Sequence, residues 1–167
     1  FVRTYEWNPE EILILGGGSN FLFTEDFEGT VFYPAMKGIE IIEEDEDFVY
    51  VRVGAGEVWD EWVAWAVEHG YGGVENLSLI PGHVGAAPVQ NVGAYGMEAG
   101  DTIYRVEAIR LDSAELVRID ATDCQFAYRD SIFKRLWKNQ YLIARVIFRL
   151  TKKPEFRLEY GSIRNEL

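Results

Sequence analysis

Only one stretch of this 167-residue chain repeats its apolar residues at a helical period. In EVWDEWVAWAVEHG, residues 57–70, Trp59, Trp62, Val63 and Ala66 form an i, i+3, i+4, i+7 stripe, and Gly70 stands where a helix would stop. The other apolar runs are short and read as strands: Ile12 to Leu15, GTVFYP ended by Pro34, YRVEAIRL, ELVRID, and Tyr141 to Leu150. GIEIIEEDEDFVYVRVGAG reads as a hairpin around the acidic turn Glu44–Asp47. In its second strand Val49, Val51 and Val53 alternate with Tyr50 and Arg52. Thr122 to Gln125 has capping-box spacing and predicts a short helical turn. A doubly wound sheet needs a helix after nearly every strand, so the pattern predicts an α+β fold in which strands dominate.

Composition narrows the function. Hydrophobic residues make up 48% of the chain, enough for a packed core. The formal charge of −12, with no basic cluster denser than Lys134-Arg135 and Lys138, argues against nucleic acid as a partner. No apolar run approaches the roughly 20 residues of a membrane helix, and no signal peptide is visible. A single cysteine, Cys124, fits a reducing compartment and has no catalytic motif around it.

Three stretches carry candidate chemistry. Gly16-Gly17-Gly18-Ser19-Asn20 follows a strand. Its glycines can adopt positive φ and turn several N–H groups toward one point, a concavity suited to phosphate. It is neither a P-loop nor a dinucleotide fingerprint, because no Gly-Lys-Ser/Thr follows and Phe21 stands where the third glycine should be. IPGHVGAAPVQNVGAYG, residues 80–96, contains no Asp, Glu, Lys or Arg in a chain that is 26% charged. Its glycines and alanines bare the backbone to a flat, uncharged ligand, and Gln90 and Asn91 can hydrogen-bond the edges of a heterocycle. His83 in this stretch reads as a hydrogen-bonded side chain rather than a ligand. In FAYRDS, Arg129 offers a planar fork for a carboxylate, with Tyr128 beside it, and the apolar Ile132 and Phe133 that follow suggest partial burial.

Taken in order, LGGGSN, ENLSLIPGHVGAAPVQNVGAYGMEAGD and FAYRDSIFK resemble the UDP-N-acetylenolpyruvoylglucosamine reductases (MurB) of bacteria, and APVQNVGAYG is similar to their type I group. The resemblance implies a two-lobed α+β FAD-binding domain of the vanillyl-alcohol oxidase (PCMH) type, not a Rossmann fold. Its lobes would be residues 1–70 and 71–150, with 151–167 starting a connection to a C-terminal substrate domain. It implies reduction of an enolpyruvyl UDP-sugar to UDP-N-acetylmuramate, with FAD as cofactor and NADPH as reductant, by a cytoplasmic enzyme that is a monomer when full length. Gly16, Gly17, Gly18, Ser19 and Asn20 would hold the FAD diphosphate. Ile80, Pro81, Gly82, Gly85, Ala86, Ala87, Gln90, Asn91, Gly93, Ala94 and Tyr95 would lie along the diphosphate and the ring system. Arg129, matching the family's catalytic arginine, would bind and polarise the substrate carboxylate with Tyr128. The family's proton-donating serine and late glutamate have no match here, and neither Ser162 nor Glu166 fits their motifs. The chain is therefore expected to be the flavin domain, truncated at both ends. Two alternatives stay open: another flavin oxidoreductase on this scaffold, including types that tether flavin through His or Cys, and a non-catalytic nucleotide-binding module.

Overall fold

A computed structural model describes residues 8, 10–157 and 160, so most of the expected connection after residue 157 lies outside the described residues. The largest element is a five-stranded antiparallel sheet in the order β3-β4-β9-β7-β8. Its strands are β3 (Ile39–Glu44), β4 (Phe48–Gly54), β7 (Ile103–Arg110), β8 (Leu116–Asp120) and β9 (Tyr141–Thr151). β1 (Ile12–Ile14) and β2 (Thr30–Phe32) form a separate parallel pair. The α+β expectation holds, with helices few among the described residues.

The division expected at residue 70 does not separate two sheets. β4, from before that point, pairs along its whole length with β9, from after it. The reason is visible in the burial: Val49, Val51 and Val53 are buried along β4, as are Val146, Phe148 and Leu150 along β9, so both strands lie at the centre of one core.

Helix α1 (Trp59–Glu68) covers that core with the stripe the sequence predicts, Trp59, Trp62, Val63 and Ala66. The Trp62 ring stacks on Phe148 at 5.0 Å between centroids, and Trp59 meets the same phenylalanine edge-on at 6.0 Å. The indole N–H of Trp59 donates to the carbonyl of Leu77 at 2.8 Å, which satisfies a buried donor. Gly70 ends the helix with φ of +73°. Its N–H donates to Val67 O and that of Tyr71 to Ala66 O, the paired bonds of a Schellman cap. In the acidic turn between β3 and β4, the Asp45 carboxylate accepts the N–H groups of Phe48 and Asp47, and those bonds lower its pKa.

One local expectation fails in part. The turn near Thr122 exists as a single 3-10 turn over Ala121–Cys124, but no capping box forms there. Gln125 takes a left-handed conformation at its end, so it cannot reach back to Thr122. A reciprocal capping box occurs instead between Glu98 and Asp101, around the 3-10 turn Ala99–Asp101.

Cys124 is fully buried and burial pushes its thiol up to about 12. In the native protein it is expected to resist a maleimide reagent, and in denaturant to react fully. Fast native labelling would contradict its placement.

Candidate functional site

The uncharged stretch is laid against the connection between β4 and α1 by three backbone bonds. Trp59 N–H donates to Gly82 O at 2.9 Å, Val84 N–H to Glu57 O at 2.9 Å and Gly85 N–H to Ala55 O at 2.8 Å. Gly85 is required by proximity, since a Cβ there would lie 2.7 Å from the Ala55 Cβ. The chain then makes a 3-10 turn (Val84–Ala86) that runs into one helical turn, α2 (Ala87–Gln90). Sequence reading saw neither turn. Four residues carry no period, and only Pro88, in the first turn where no N–H is needed, marks the helix. A hairpin of β5 (Gly93–Ala94) and β6 (Met97–Glu98) follows, with Tyr95 and Gly96 at its tip at φ of +49° and +77°. Both central residues being left-handed matches the turn that best suits strand twist.

The triglycine turn meets this stretch. A Cβ on Gly17 would lie 3.3 Å from the Gly82 Cα and 3.4 Å from the His83 ring, and one on Gly16 would lie 3.6 Å from the Ala86 Cβ. The Asn20 amide donates to the Gln90 side chain at 3.0 Å. Among the described residues, no acceptor takes the N–H groups of Gly16, Gly17 or Gly18. Three consecutive uncommitted amides, with Gly18 at φ of +72°, are what a phosphate cradle needs. Exposed Phe21, Leu22, Phe23 and Tyr33 follow along the same chain segment and give it an apolar flank. The residues present therefore fit an anionic diphosphate joined to a flat ring system.

His83 sits between the two glycine segments. Its Nε2 lies 3.4 Å from the Tyr33 hydroxyl, and its Nδ1 is buried without a hydrogen-bond partner. Burial first, and Lys37 second, hold the imidazole below its ordinary value of 6.5, against an opposing pull from Glu57. The unfolded chain then binds more protons than the folded one. The stability His83 contributes is complete above that ordinary value and is lost as pH falls from it through the lowered value of the folded state. Melting temperature is expected to drop between about pH 7 and about pH 5, and less so in His83→Gln. An identical pH dependence in the two proteins would contradict this.

The arginine segment is a two-residue hairpin. Ala127 and Asp130 exchange both backbone bonds at 3.0 Å, and Tyr128 and Arg129 occupy the tip. Ile132 and Phe133 are buried as expected, but the burial does not extend back to Tyr128, which is 83% exposed, or to Arg129. The physical reason is the tight turn, which puts both side chains on its outer end. Asp130 pairs with Arg135 at 2.7 Å, not with Arg129, and among the described residues the Arg129 guanidinium has no ion pair. It is a free fork. Arg129 also holds φ of +54°, a position where such a turn favours glycine. Leu79, Asn91 and Tyr95 are likewise left-handed non-glycines, so strained backbone gathers around these segments.

Two residues join the hairpin to the uncharged stretch. Ser131, fully buried, donates its hydroxyl to Val89 O at 2.7 Å, and Asn91 donates to Ala127 O at 3.0 Å. The Asn91 amide is thus turned inward, not toward a ligand edge, while Gln90 is held by Asn20. Ile80, Gly93 and Ala94 are half-buried, Ala87 is buried, and Pro81 and Tyr95 are exposed. A cleft of about 850 Å³ lies elsewhere and touches the candidate residues only at Tyr95. The candidate site is an open bed rather than a closed pocket. Among the described residues no group of acidic, His or Cys side chains could hold a metal, and no helix is long and apolar enough to cross a membrane.

Comparison with known proteins agrees with this geometry. A family model described as FAD binding domain matches residues 1–120. The UDP-N-acetylenolpyruvoylglucosamine reductase of Bacteroides fragilis is 51% identical over 155 residues, which is 93% of this chain and 46% of that protein. The reductase of the same name from Bdellovibrio bacteriovorus is 51% identical over 154 residues, 92% of this chain and 46% of its own length. The chain thus spans about half the length of the curated relatives it matches. Among solved structures, that of UDP-N-acetylenolpyruvylglucosamine reductase (MurB) from Thermus caldophilus aligns at a TM-score of 0.67 and 24% identity, covering 84% of this chain and 48% of that one. At that identity the likeness establishes the fold.

Proposed function

Since the chain belongs to the FAD binding domain family, we propose that it forms the flavin-holding part of a reductase that converts UDP-N-acetylglucosamine enolpyruvate to UDP-N-acetylmuramate with NADPH. Such a reaction belongs to peptidoglycan precursor synthesis in the bacterial cytoplasm. The observation that carries the reading is the meeting of three segments on one surface: Gly17 against Gly82, Asn20 on Gln90, and Ser131 on Val89. All three segments lie in a chain that is 51% identical to the relatives named above over more than nine-tenths of its length.

Bound FAD supplies a two-electron carrier between NADPH and the enolpyruvyl double bond. The chain's own residues do the rest of the work assigned to this half. The N–H groups of Gly16 to Gly18 hold the diphosphate, with Ser19 and Asn20 beside them. The stretch from Ile80 to Tyr95 lies along the diphosphate and the ring, offering backbone where side chains would keep the ring away. Uncharged lining keeps water weakly bound there, so placing an apolar ring displaces it at little cost.

Arg129 meets the substrate carboxylate. Its fork accepts a planar anion in a bidentate arrangement, and no acidic neighbour among the described residues competes for it. As the double bond is reduced, negative charge develops on the carbon side next to that carboxylate. A guanidinium fixed in place stabilises this charge more than it stabilises the ground state, which is what lowers a barrier. The exposed Tyr128 hydroxyl is available beside it. Protonation of the substrate carbon is assigned to a residue in the half of the protein that this chain does not span.

The test uses the full-length gene product. Oxidation of NADPH that depends on added UDP-N-acetylglucosamine enolpyruvate, with UDP-N-acetylmuramate formed in equal amount, is the expected result. A flavin-loaded protein that oxidises NADPH no faster with that substrate than without it would defeat the reading.

A further inference from the structure

Asn91 is almost completely buried, yet each half of its amide is in use. Its Nδ2 donates to Ala127 O at 3.0 Å and to Glu98 Oε2 at 2.6 Å, and its Oδ1 accepts the Gly100 N–H at 2.8 Å. The backbone there is left-handed, with φ of +44°, and ends α2. Gly100 is packed so tightly beneath it that a Cβ would lie 2.9 Å from the Asn91 Oδ1 and 3.0 Å from the Phe126 ring. One side chain therefore bonds to the uncharged stretch's own return strand, to the turn after it, and to the base of the arginine hairpin. Ser131 makes the second tie, from the other side of the hairpin to Val89 in α2.

Phe126 before the hairpin and Ile132 and Phe133 after it are anchored in the core, but the four hairpin residues themselves have few other ties. The hairpin's tip residues Tyr128 and Arg129 are exposed, and its two backbone bonds are internal. Asp130 to Arg135, and Lys134 Nζ to Arg129 O at 2.9 Å, are contacts within the same segment. An isolated two-residue turn with a left-handed arginine is a poor platform for a group that must hold a substrate. A guanidinium displaced by about 1 Å can forfeit about 10²-fold in rate.

The geometry points to Asn91 and Ser131 as positioning residues that fix the Arg129 hairpin to the cofactor bed, so that the substrate-binding arginine and the ring are held in one register. This rests on the reductase reading of the site. Neither residue touches the reacting atoms. Both act through Arg129, and each is a buried polar group that donates to a backbone carbonyl across the junction, which no apolar substitute would satisfy. The same contacts explain why an amide and not an acid stands at 91: a carboxylate could not donate to Ala127 O and would face Glu98.

Two variants of the full-length holoenzyme test this. Asn91→Gly removes the amide while keeping a residue at ease with positive φ, and Ser131→Ala removes one hydroxyl from a buried site. The first readout is amide hydrogen exchange. The N–H groups of Ala127 and Asp130 are expected to exchange about tenfold faster in each variant, with those of β9 unchanged. The second is kinetic. Each variant is expected to lose about 10- to 100-fold in kcat per bound flavin, and Ser131→Ala, outside the cofactor bed, is expected to retain its flavin content. Placed on an Arg129→Ala background, either change should cost less than about twofold more, because the residue it acts through is gone. Unchanged exchange at Ala127 and Asp130 would overturn the inference whatever the rates. Losses that multiply with Arg129→Ala would overturn it too. A wild-type protein without enolpyruvyl turnover would defeat the reductase reading instead, and the exchange comparison would still decide whether the stretch holds the hairpin.

Discussion

Arg129→Ala in the full-length protein is expected to lower kcat for enolpyruvyl reduction by about 10²- to 10³-fold, the loss typical of one transition-state contact, on the order of 3–4 kcal/mol. Flavin content and melting temperature should stay close to wild type. The separation follows from placement: Arg129 lies at an exposed hairpin tip, makes no ion pair among the described residues, and covers none of the core. Its left-handed φ makes the outcome sharper, since alanine inherits the backbone strain without the guanidinium. Arg129→Lys should recover only part of the loss, because an ammonium cannot form two parallel bonds to a carboxylate. Stopped-flow measurement of the two half-reactions checks the assignment. The enolpyruvyl-dependent half should slow, and loss confined to flavin binding would show that the arginine belongs to the bed instead.

Gly85→Val carries the second large effect, on the cofactor rather than the rate. The Gly85 backbone φ is not in the left-handed region, so the argument is one of space alone. A Cβ there would lie 2.7 Å from the Ala55 Cβ and 3.1 Å from the Ala55 carbonyl, which already accepts the Gly85 N–H. Ala55 is buried and tied to Ala144 on β9, so it cannot give way. The glycine segment must lift instead, carrying Gly82 away from Gly17. Overpacking of this kind costs about 1–3 kcal/mol, and taken up at the bed it weakens FAD about 10- to 100-fold. Titration of apoprotein with FAD, followed by flavin fluorescence, measures it. Unchanged affinity would mean that the 82–85 segment does not line the bed.

How much of this was legible beforehand depended on whether the signal was periodic. The stripe of Trp59, Trp62, Val63 and Ala66 and the alternation of Val49, Val51 and Val53 repeat over several residues, so both the helix and the central strand appear where expected. α2 did not show itself, because Ala-Pro-Val-Gln is one turn stabilised by its contacts, not by propensity. Gln125 fell into a left-handed position and spoiled an expected capping box, while Glu98 and Asp101 formed one unannounced.

At the site, the three segments were legible as chemistry and their meeting was not. Nothing local says that Asn20 reaches Gln90 across 70 positions, or that Ser131 reaches Val89. Asn91 shows the difference most clearly. As a residue type it suited the edge of a heterocycle, but it is buried and its three hydrogen bonds are all internal. The apolar Ile132 and Phe133 suggested a sheltered arginine, whereas the tight turn before them leaves Arg129 in the open. That β4 and β9 share one sheet across residue 70 was not legible for a related reason, since the pairing depends on partners nearly 100 positions apart.

The central claim is that Gly16 to Asn20 and Ile80 to Tyr95 together hold FAD, and one measurement bears on it most directly. The full-length gene product, purified and desalted, is precipitated with acid, and the flavin in supernatant and pellet is measured against protein. The account predicts close to one FAD per chain, all of it in the supernatant, and a marked fall in Gly85→Val. A protein that retains no flavin, or flavin that stays with the pellet, would contradict it.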